Sequence, residues 1–248
     1  MIYAIGDIHG QITMLTEMLD MIRCRPLRDE DEIVFLGDYI DRGEDSRAVL
    51  DLLIGFSREH ENVVFLRGNH EQLMLDARDG PAPEPAEQPG YVLHSAAMLT
   101  WLQNGGVDTL LNYEVNDFAC WWDFIPRSHW QFIRETQLEH LSDRYHFVHA
   151  GLLPPGKSWE GDYWDRHVDP RLWIREPFLS SRHNFDGRTV VFGHTPQRNG
   201  RPMLGRNKIG LDTGAVFGGP LTAAVFAPTV PGRRTAGPEF LQVAYAKE

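Results

Sequence analysis

Cysteine is scarce: Cys24 and Cys120 are the only two in 248 residues, and no CxxC pair occurs. That excludes a disulfide framework and a thiolate zinc site. Basic residues are outnumbered, 24 Lys and Arg against 35 Asp and Glu, for a formal charge of −11. A protein whose main task is to grip a nucleic acid backbone needs the opposite balance, because that affinity comes from neutralising phosphates. A small basic pocket within an acidic surface is still allowed. Long apolar runs are also missing, and the opening MIYAIGDIHG has no basic leader region. A spanning helix and a secretory signal are therefore not predicted. The expectation is a cytoplasmic protein with neither a membrane nor a nucleic acid as partner. With 42% hydrophobic and 24% charged residues the composition is that of a folded domain, not of a disordered chain or a coiled coil.

What is present is a pattern used three times in the first 70 residues. A short apolar run of strand type stops at a polar cluster containing glycine: Ile2–Ile5 into GDIHG, Ile33–Leu36 into GDYIDRG, Val63–Leu66 into RGNHE. Ile12, Leu15, Met18, Leu19 and Ile22 recur at helical spacing between the first two runs, and Val49, Leu50, Leu53 and Ile54 between the second and third. The order β-α-β-α-β places all three clusters at the carboxyl ends of parallel strands, where open α/β sheets bind ligands. Residues 79–90, DGPAPEPAEQPG, read as an exposed loop. From about His94 to Leu141 the chain is helical and rich in tryptophan, with Trp101, Trp121, Trp122 and Trp130 expected as the aromatic core of a helical layer, or else as a wall facing substrate. Strand-like runs return at Tyr145–Val148 into HAG, Thr189–Phe192 into GH, Ile209–Leu211 into DTG, Leu221–Phe226 and Phe240–Tyr245. They predict a second sheet packed on the first within one domain spanning 1–248, interrupted by a loop and helical insertion at about 76–142. PTVPGRRTAGP, residues 228–238, reads as a mobile hairpin connection.

Asp7, His9, Asp38, Asn69, His149 and His194 all fall at the tips of these strands. One Asp in such a place is an ordinary turn or cap residue. Six oxygen and imidazole donors together, without cysteine, suit a pair of divalent ions of the Mn, Fe or Zn kind sharing a carboxylate, with a water between them acidified toward hydroxide. Gly6, Gly37, Gly68 and Gly193 let the backbone turn beside them. Arg67 and Glu71 are expected to buttress the loops. Asp212 reads equally as a support for a ligand histidine or as a turn cap. His60, His129, His140, His167 and His183 are expected at the solvent surface, and His146, three residues before His149, on the opposite strand face.

GDIHGQ, GDYIDRG, LRGNHE, FVHAG and FGHT, in that order, resemble the motif series of the phosphoprotein phosphatase family within the calcineurin-like metallophosphoesterases, especially its small bacterial serine/threonine phosphatases; WIREPF and IGLDTGAVFGG extend the likeness to about residue 219. The resemblance implies an α/β (α+β) four-layer sandwich, two mixed β-sheets packed together and flanked by helices. It implies Asp7 and His9 as ligands of one metal, Asp38 as the bridge, and Asn69, His149 and His194 as ligands of the other, the ions being Mn²⁺ before Fe or Zn. His70 matches the general acid and Asp41 its carboxylate partner. Arg42 and Arg175 match the groups that hold the phosphoryl oxygens, with Asn69 beside them. The implied reaction is direct attack of a hydroxide held between the ions on a phosphoserine or phosphothreonine monoester of a phosphoprotein or phosphopeptide, phosphotyrosine being a further candidate, with no phospho-enzyme.

The rival from the same wider family is symmetrical hydrolysis of dinucleoside polyphosphates such as diadenosine tetraphosphate, or of small phosphate esters. Those enzymes resemble GDxxARG where this chain has GDYIDRG, and the retained Asp41 favours the protein phosphatase, since an alkoxide gains more from an oriented acid. A nuclease is disfavoured by the −11 charge. A phosphoprotein-binding module without catalysis would be expected to have lost a ligand or the acid, and none is lost here.

Overall fold

The computed structural model describes residues 1–80, 96–159, 168–228 and 237–245. The chain begins as the periodicity predicts, with β1 (Ile2–Ile5), α1 (Ile12–Arg23), β2 (Glu32–Phe35), α2 (Ser46–Glu59) and β3 (Val63–Phe65); a helix that the apolar spacing does not announce, α3 (Asn69–Asp79), follows. The three strands are parallel, with Tyr3 opposite Ile33 and Val34 opposite Val64. Helix α1 buries Met14, Leu15, Met18, Leu19 and Ile22, each worth roughly 1.5–3 kcal/mol relative to exposure. Helix α2 is started by Asp45, whose carboxylate accepts the Ala48 N–H at 2.8 Å, a cap worth about 1 kcal/mol.

Between α3 and the second sheet lie α4 (Ala96–Trp101), a wide turn over Leu102–Gly106, α5 (Val107–Asn112), a tight helical turn over Phe118–Phe124, and α6 (Arg127–Glu135). Trp101, Trp121 and Trp130 are buried there, as the core reading expects, and Trp122 is partly exposed. The remainder supplies β4 (Glu139–Leu141), β5 (Tyr145–Val148), α7 (Pro170–Trp173), β6 (Thr189–Phe192), β7 (Met203–Gly205), β8 (Lys208–Gly210), β9 (Leu221–Phe226) and β10 (Glu239–Val243).

Two five-stranded mixed sheets result, ordered β10-β9-β1-β2-β3 and β4-β5-β6-β8-β7. Strand alternation assigns each side chain to a layer. Tyr3, Ile5, Ile33, Phe35, Ala223 and Val225 face the helices, whereas Ala4, Val34, Leu36, Ala224 and Phe226 face Phe147, Val191 and Ile209 of the other sheet. Val148, Val190 and Phe192 close a third cluster with Ile174, Phe178 and Phe185 on the far side. The parallel strands of both sheets end on one rim, where the polar clusters lie. Most of the proline-rich stretch (81–90), most of the 228–238 connection (229–236) and His167 fall outside the described residues. Among the described residues no helix is long and apolar enough to cross a membrane.

Candidate metal centre

The loops that carry the donors are held in unusual backbone shapes. His9, Asp38, Asp41, Arg42 and His194 all have left-handed φ, at 47°, 54°, 76°, 69° and 61°, which costs roughly 1–2 kcal/mol for each residue with a Cβ. Such strain persists only where the surroundings over-determine it. Glu71, fully buried at the start of α3, does much of that work. Its carboxylate accepts the main-chain N–H groups of Gly68 and Asp38 at 2.9 Å, Tyr39 at 2.8 Å and Ile40 at 3.3 Å. Arg67 ties the same loop to the end of α6 through Thr136 Oγ1 at 3.1 Å and the Arg134 carbonyl at 2.9 Å. Both are buttresses, as their sequence context predicts. Glu71→Ala orphans several buried N–H groups and should cost about 3–5 kcal/mol in chemical denaturation; a loss below about 1 kcal/mol would contradict this role.

Around Asp38 the donor atoms converge. Its Oδ2 lies 3.4 Å from His9 Nε2 and its Oδ1 3.4 Å from His149 Nε2. His9 Nδ1 donates to the Ile40 carbonyl at 2.9 Å and His149 Nδ1 to the Leu36 carbonyl at 2.8 Å. A carbonyl can only accept, so these bonds place the proton on Nδ1 and turn each Nε2 toward the carboxylate. Asn69 Oδ1 sits 3.0 Å from His149 Nε2 and 2.9 Å from His194 Nδ1, and the buried His194 Nε2 finds no hydrogen-bond partner among the described residues. Ligand atoms of His9, Asp38 and His70 lie within 4.8 Å of one another, as do those of Asp38, His149 and His194. Asp38 belongs to both groups. Asp7 belongs to neither, but it is buried alongside, its carboxylate accepting the His194 N–H at 2.9 and 3.1 Å.

These residues fit a divalent pair on their own chemistry. Acceptor faces acceptor at about 3 Å in a buried space, an arrangement that is stable only with positive charge between. The metal-free protein supplies some of that charge with protons. Burial opposes a charge on His149, yet Asp38 beside it pushes the imidazole up to about 9. Burial likewise opposes the Asp38 carboxylate, and His149 and His70 nonetheless hold it well below its usual range. Burial, followed by the charge on Asp212, pushes Asp7 well above its usual range. Burial then His70 depress His9 to about 3. His9 is thus a neutral donor at neutral pH.

The wall beside Asp7 is tight. A Cβ on Gly193 would lie 2.0 Å from Asp7 Oδ1, so only glycine lets the loop after β6 approach that carboxylate. Gly193→Ala should displace Asp7 and lower metal-dependent turnover by about 10²-fold, the scale of a 1 Å misplacement. Unchanged steady-state kinetics would show that the contact is irrelevant.

His70 and Asp41 form a buried pair, Nδ1 to Oδ2 at 2.7 Å. Burial lowers the imidazole to about 4 and raises the carboxyl to about 7. Arg42 reaches the cluster, with Nη1 3.2 Å from His9 Nε2 and Nε donating to the Asn104 carbonyl at 3.1 Å. Arg175 Nη2 donates to the His194 carbonyl at 3.2 Å. All the residues picked out in sequence therefore border one site.

Three histidine readings change, and one open reading is decided. His129 is buried, between Tyr113 Oη at 2.6 Å and Asp51 Oδ1 at 3.0 Å, where solvent exposure is expected from its polar neighbours. His60 and His140 are half-buried, and His183 is exposed. Asp212 accepts the Gly214 N–H at 3.0 Å, the turn-capping option. The sequence also gives no sign that Trp101 and Thr109 reach Asp41, at 3.0 and 2.6 Å, since an indole in a helical layer reads as core.

The two-sheet sandwich and the donor cluster at its rim agree with comparison to known proteins. Residues 1–219 match the calcineurin-like phosphoesterase family, and the chain belongs to it. It is a metallophosphoesterase, a hydrolase of phosphate esters in a family that uses divalent metals. Over 228 residues, 90% of either chain, it is 34% identical to serine/threonine-protein phosphatase 1 of Salmonella typhimurium. Over 159 residues, 64% of this chain and 45% of the other, it is 28% identical to the symmetrical bis(5'-nucleosyl)-tetraphosphatase of Nitrosospira multiformis. A solved metallophosphoesterase from Sphaerobacter thermophilus shares the fold, with TM-score 0.53 and 18% identity, covering 99% of this chain and 88% of that one.

Proposed function

We propose that this phosphoesterase is a protein phosphatase hydrolysing phosphoserine and phosphothreonine monoesters. The observation that carries the reading is the Asp41–His70 pair, sealed from solvent with its Nδ1–Oδ2 contact at 2.7 Å. A phosphate leaving group needs little help, whereas the serine or threonine alkoxide must be protonated as it departs. Similarity to the Salmonella enzyme over nine-tenths of both chains supports the same class.

The assignment of residues is as follows. Asp7, His9 and Asp38 would hold one divalent ion and Asp38, Asn69, His149 and His194 the second, an oxygen and imidazole set that Mn²⁺, Fe and Zn all accept. When bound, the ions acidify water and polarise the phosphoryl oxygens. Arg42 and Arg175 offer permanently charged forks to the equatorial oxygens, and the Asn69 amide orients them. The incoming phosphate dianion adds negative charge beside His70, favouring its protonated form; Asp41 holds Nδ1, so that Nε2 delivers the proton to the leaving oxygen.

Symmetrical dinucleoside polyphosphate hydrolysis is the second reading, supported by similarity to the tetraphosphatase over 159 residues. Turnover of a phosphothreonine peptide and of diadenosine tetraphosphate, each with Mn²⁺ and with chelator, separates the two. The proposal expects metal-dependent release of phosphate from the peptide at the higher kcat/KM. Preference for the dinucleotide would replace it with the second reading, and no metal-dependent turnover of either would leave only binding.

A further inference from the structure

Asp41 and Arg42 are consecutive residues with left-handed backbones, φ 76° and 69°, and one bent segment of the insertion touches both. Asp41 Oδ2 takes His70 Nδ1 at 2.7 Å and the Trp101 indole N–H at 3.0 Å. Its Oδ1 takes the Thr109 hydroxyl at 2.6 Å and lies 3.2 Å from the same indole nitrogen. The Asp41 N–H donates to Ser46 Oγ at 2.9 Å and to Thr109 Oγ1 at 3.0 Å. Arg42, next along, gives its Nε–H to the Asn104 carbonyl.

Trp101 and Thr109 are eight positions apart, about 12 Å along a straight helix at 1.5 Å per residue. They meet on one carboxylate because the helix is broken between them. The turn over Leu102–Gly106 is wide, and Gly105 within it has φ 110°. Glycine is required there twice over: by that angle, and because a Cβ would stand 2.5 Å from Arg42 Cγ. Wide turns inside helices recur at functional sites. A fully buried carboxylate needs its lone pairs filled. Here the filling donors also fix its plane, so that Oδ2 faces Nδ1 and Nε2 is the ring nitrogen left to serve the site.

We infer that Trp101 and Thr109 are positioning residues for proton delivery: the kinked insertion clamps Asp41 so that His70 is aimed at the leaving oxygen. The inference rests on the phosphatase reading above for its kinetic consequence, but not for the clamp itself.

Full-length protein loaded with Mn²⁺ tests it, using Thr109→Val, Thr109→Ser and Trp101→Phe. Thr109→Val and Trp101→Phe should each lower kcat on a phosphothreonine peptide by about tenfold with KM within about twofold, a part of the 10²–10⁴ that an acid supplies. On p-nitrophenyl phosphate, whose leaving group needs no proton, the loss should stay below about threefold. Thr109→Ser keeps the hydroxyl and should restore the peptide rate to within about threefold of the parent. Equal losses on both esters, or none on either, overturn the inference, as does failure of Thr109→Ser to recover. A readout independent of turnover is the downfield NMR resonance of the His70 Nδ1 proton in the metal-free protein, expected to move in Thr109→Val and Trp101→Phe. An unmoved resonance also overturns it. If the parent protein turns over neither ester, the phosphatase reading falls while the resonance still decides the clamp.

Discussion

His70→Ala is expected to lower turnover of a phosphoserine or phosphothreonine peptide by about 10²–10⁴-fold, the usual worth of a positioned general acid, and to lower turnover of p-nitrophenyl phosphate far less. The asymmetry is the diagnostic. Nitrophenolate departs without a proton, so removing the donor leaves its path intact, while the alkoxide has no substitute in a pocket where His70 is 1% exposed. Asp41→Asn should reproduce most of the peptide loss, because the amide cannot stabilise an imidazolium as the carboxylate does at 2.7 Å. Equal losses for the two esters would mean that His70 serves the metals, a role that its closeness to His9 and Asp38 would then explain.

Asp38→Asn should be the most damaging single change that keeps the shape of the site. Its two oxygens face the two imidazole groups, Oδ2 toward His9 and Oδ1 toward His149, each at 3.4 Å. Neutralising it removes the charge that two ions would share and the charge that holds His149 up. Metal content after dialysis against Mn²⁺ should drop, and metal-dependent turnover should fall by at least about 10³-fold, the scale of losing one pre-organised electrostatic group. Retention of full metal content and rate would remove Asp38 from the bridging position.

Much of this was readable in one dimension because the first half of the chain is built from local signals. Apolar spacing marked α1 and α2, and each abrupt change from apolar run to glycine and acid marked a strand end. Those ends carry Asp7, Asp38, Asn69, His149 and His194. Strands β4 and β7 carry no such signal: EHL and MLG are three residues long, sit at sheet edges and show no apolar alternation. The larger omissions are long-range. His129 owes its burial to Tyr113 and Asp51, 16 and 78 positions away, and the Asp41 carboxylate meets Trp101 and Thr109 across 60 and 68 positions. No local pattern announces a hydrogen bond to so distant a partner. Glu71 lies between these cases: its position three residues after Gly68 is a helix-start signal, but its bonds to Tyr39 and Ile40 depend on the fold.

Anomalous diffraction from crystals of the unaltered protein grown with Mn²⁺ tests the dinuclear centre most directly. Two anomalous peaks should flank the Asp38 carboxylate, one toward His9 and Asp7, the other among Asn69, His149 and His194. A single peak away from Asp38, or none at saturating metal with the side chains placed as described, would contradict the account.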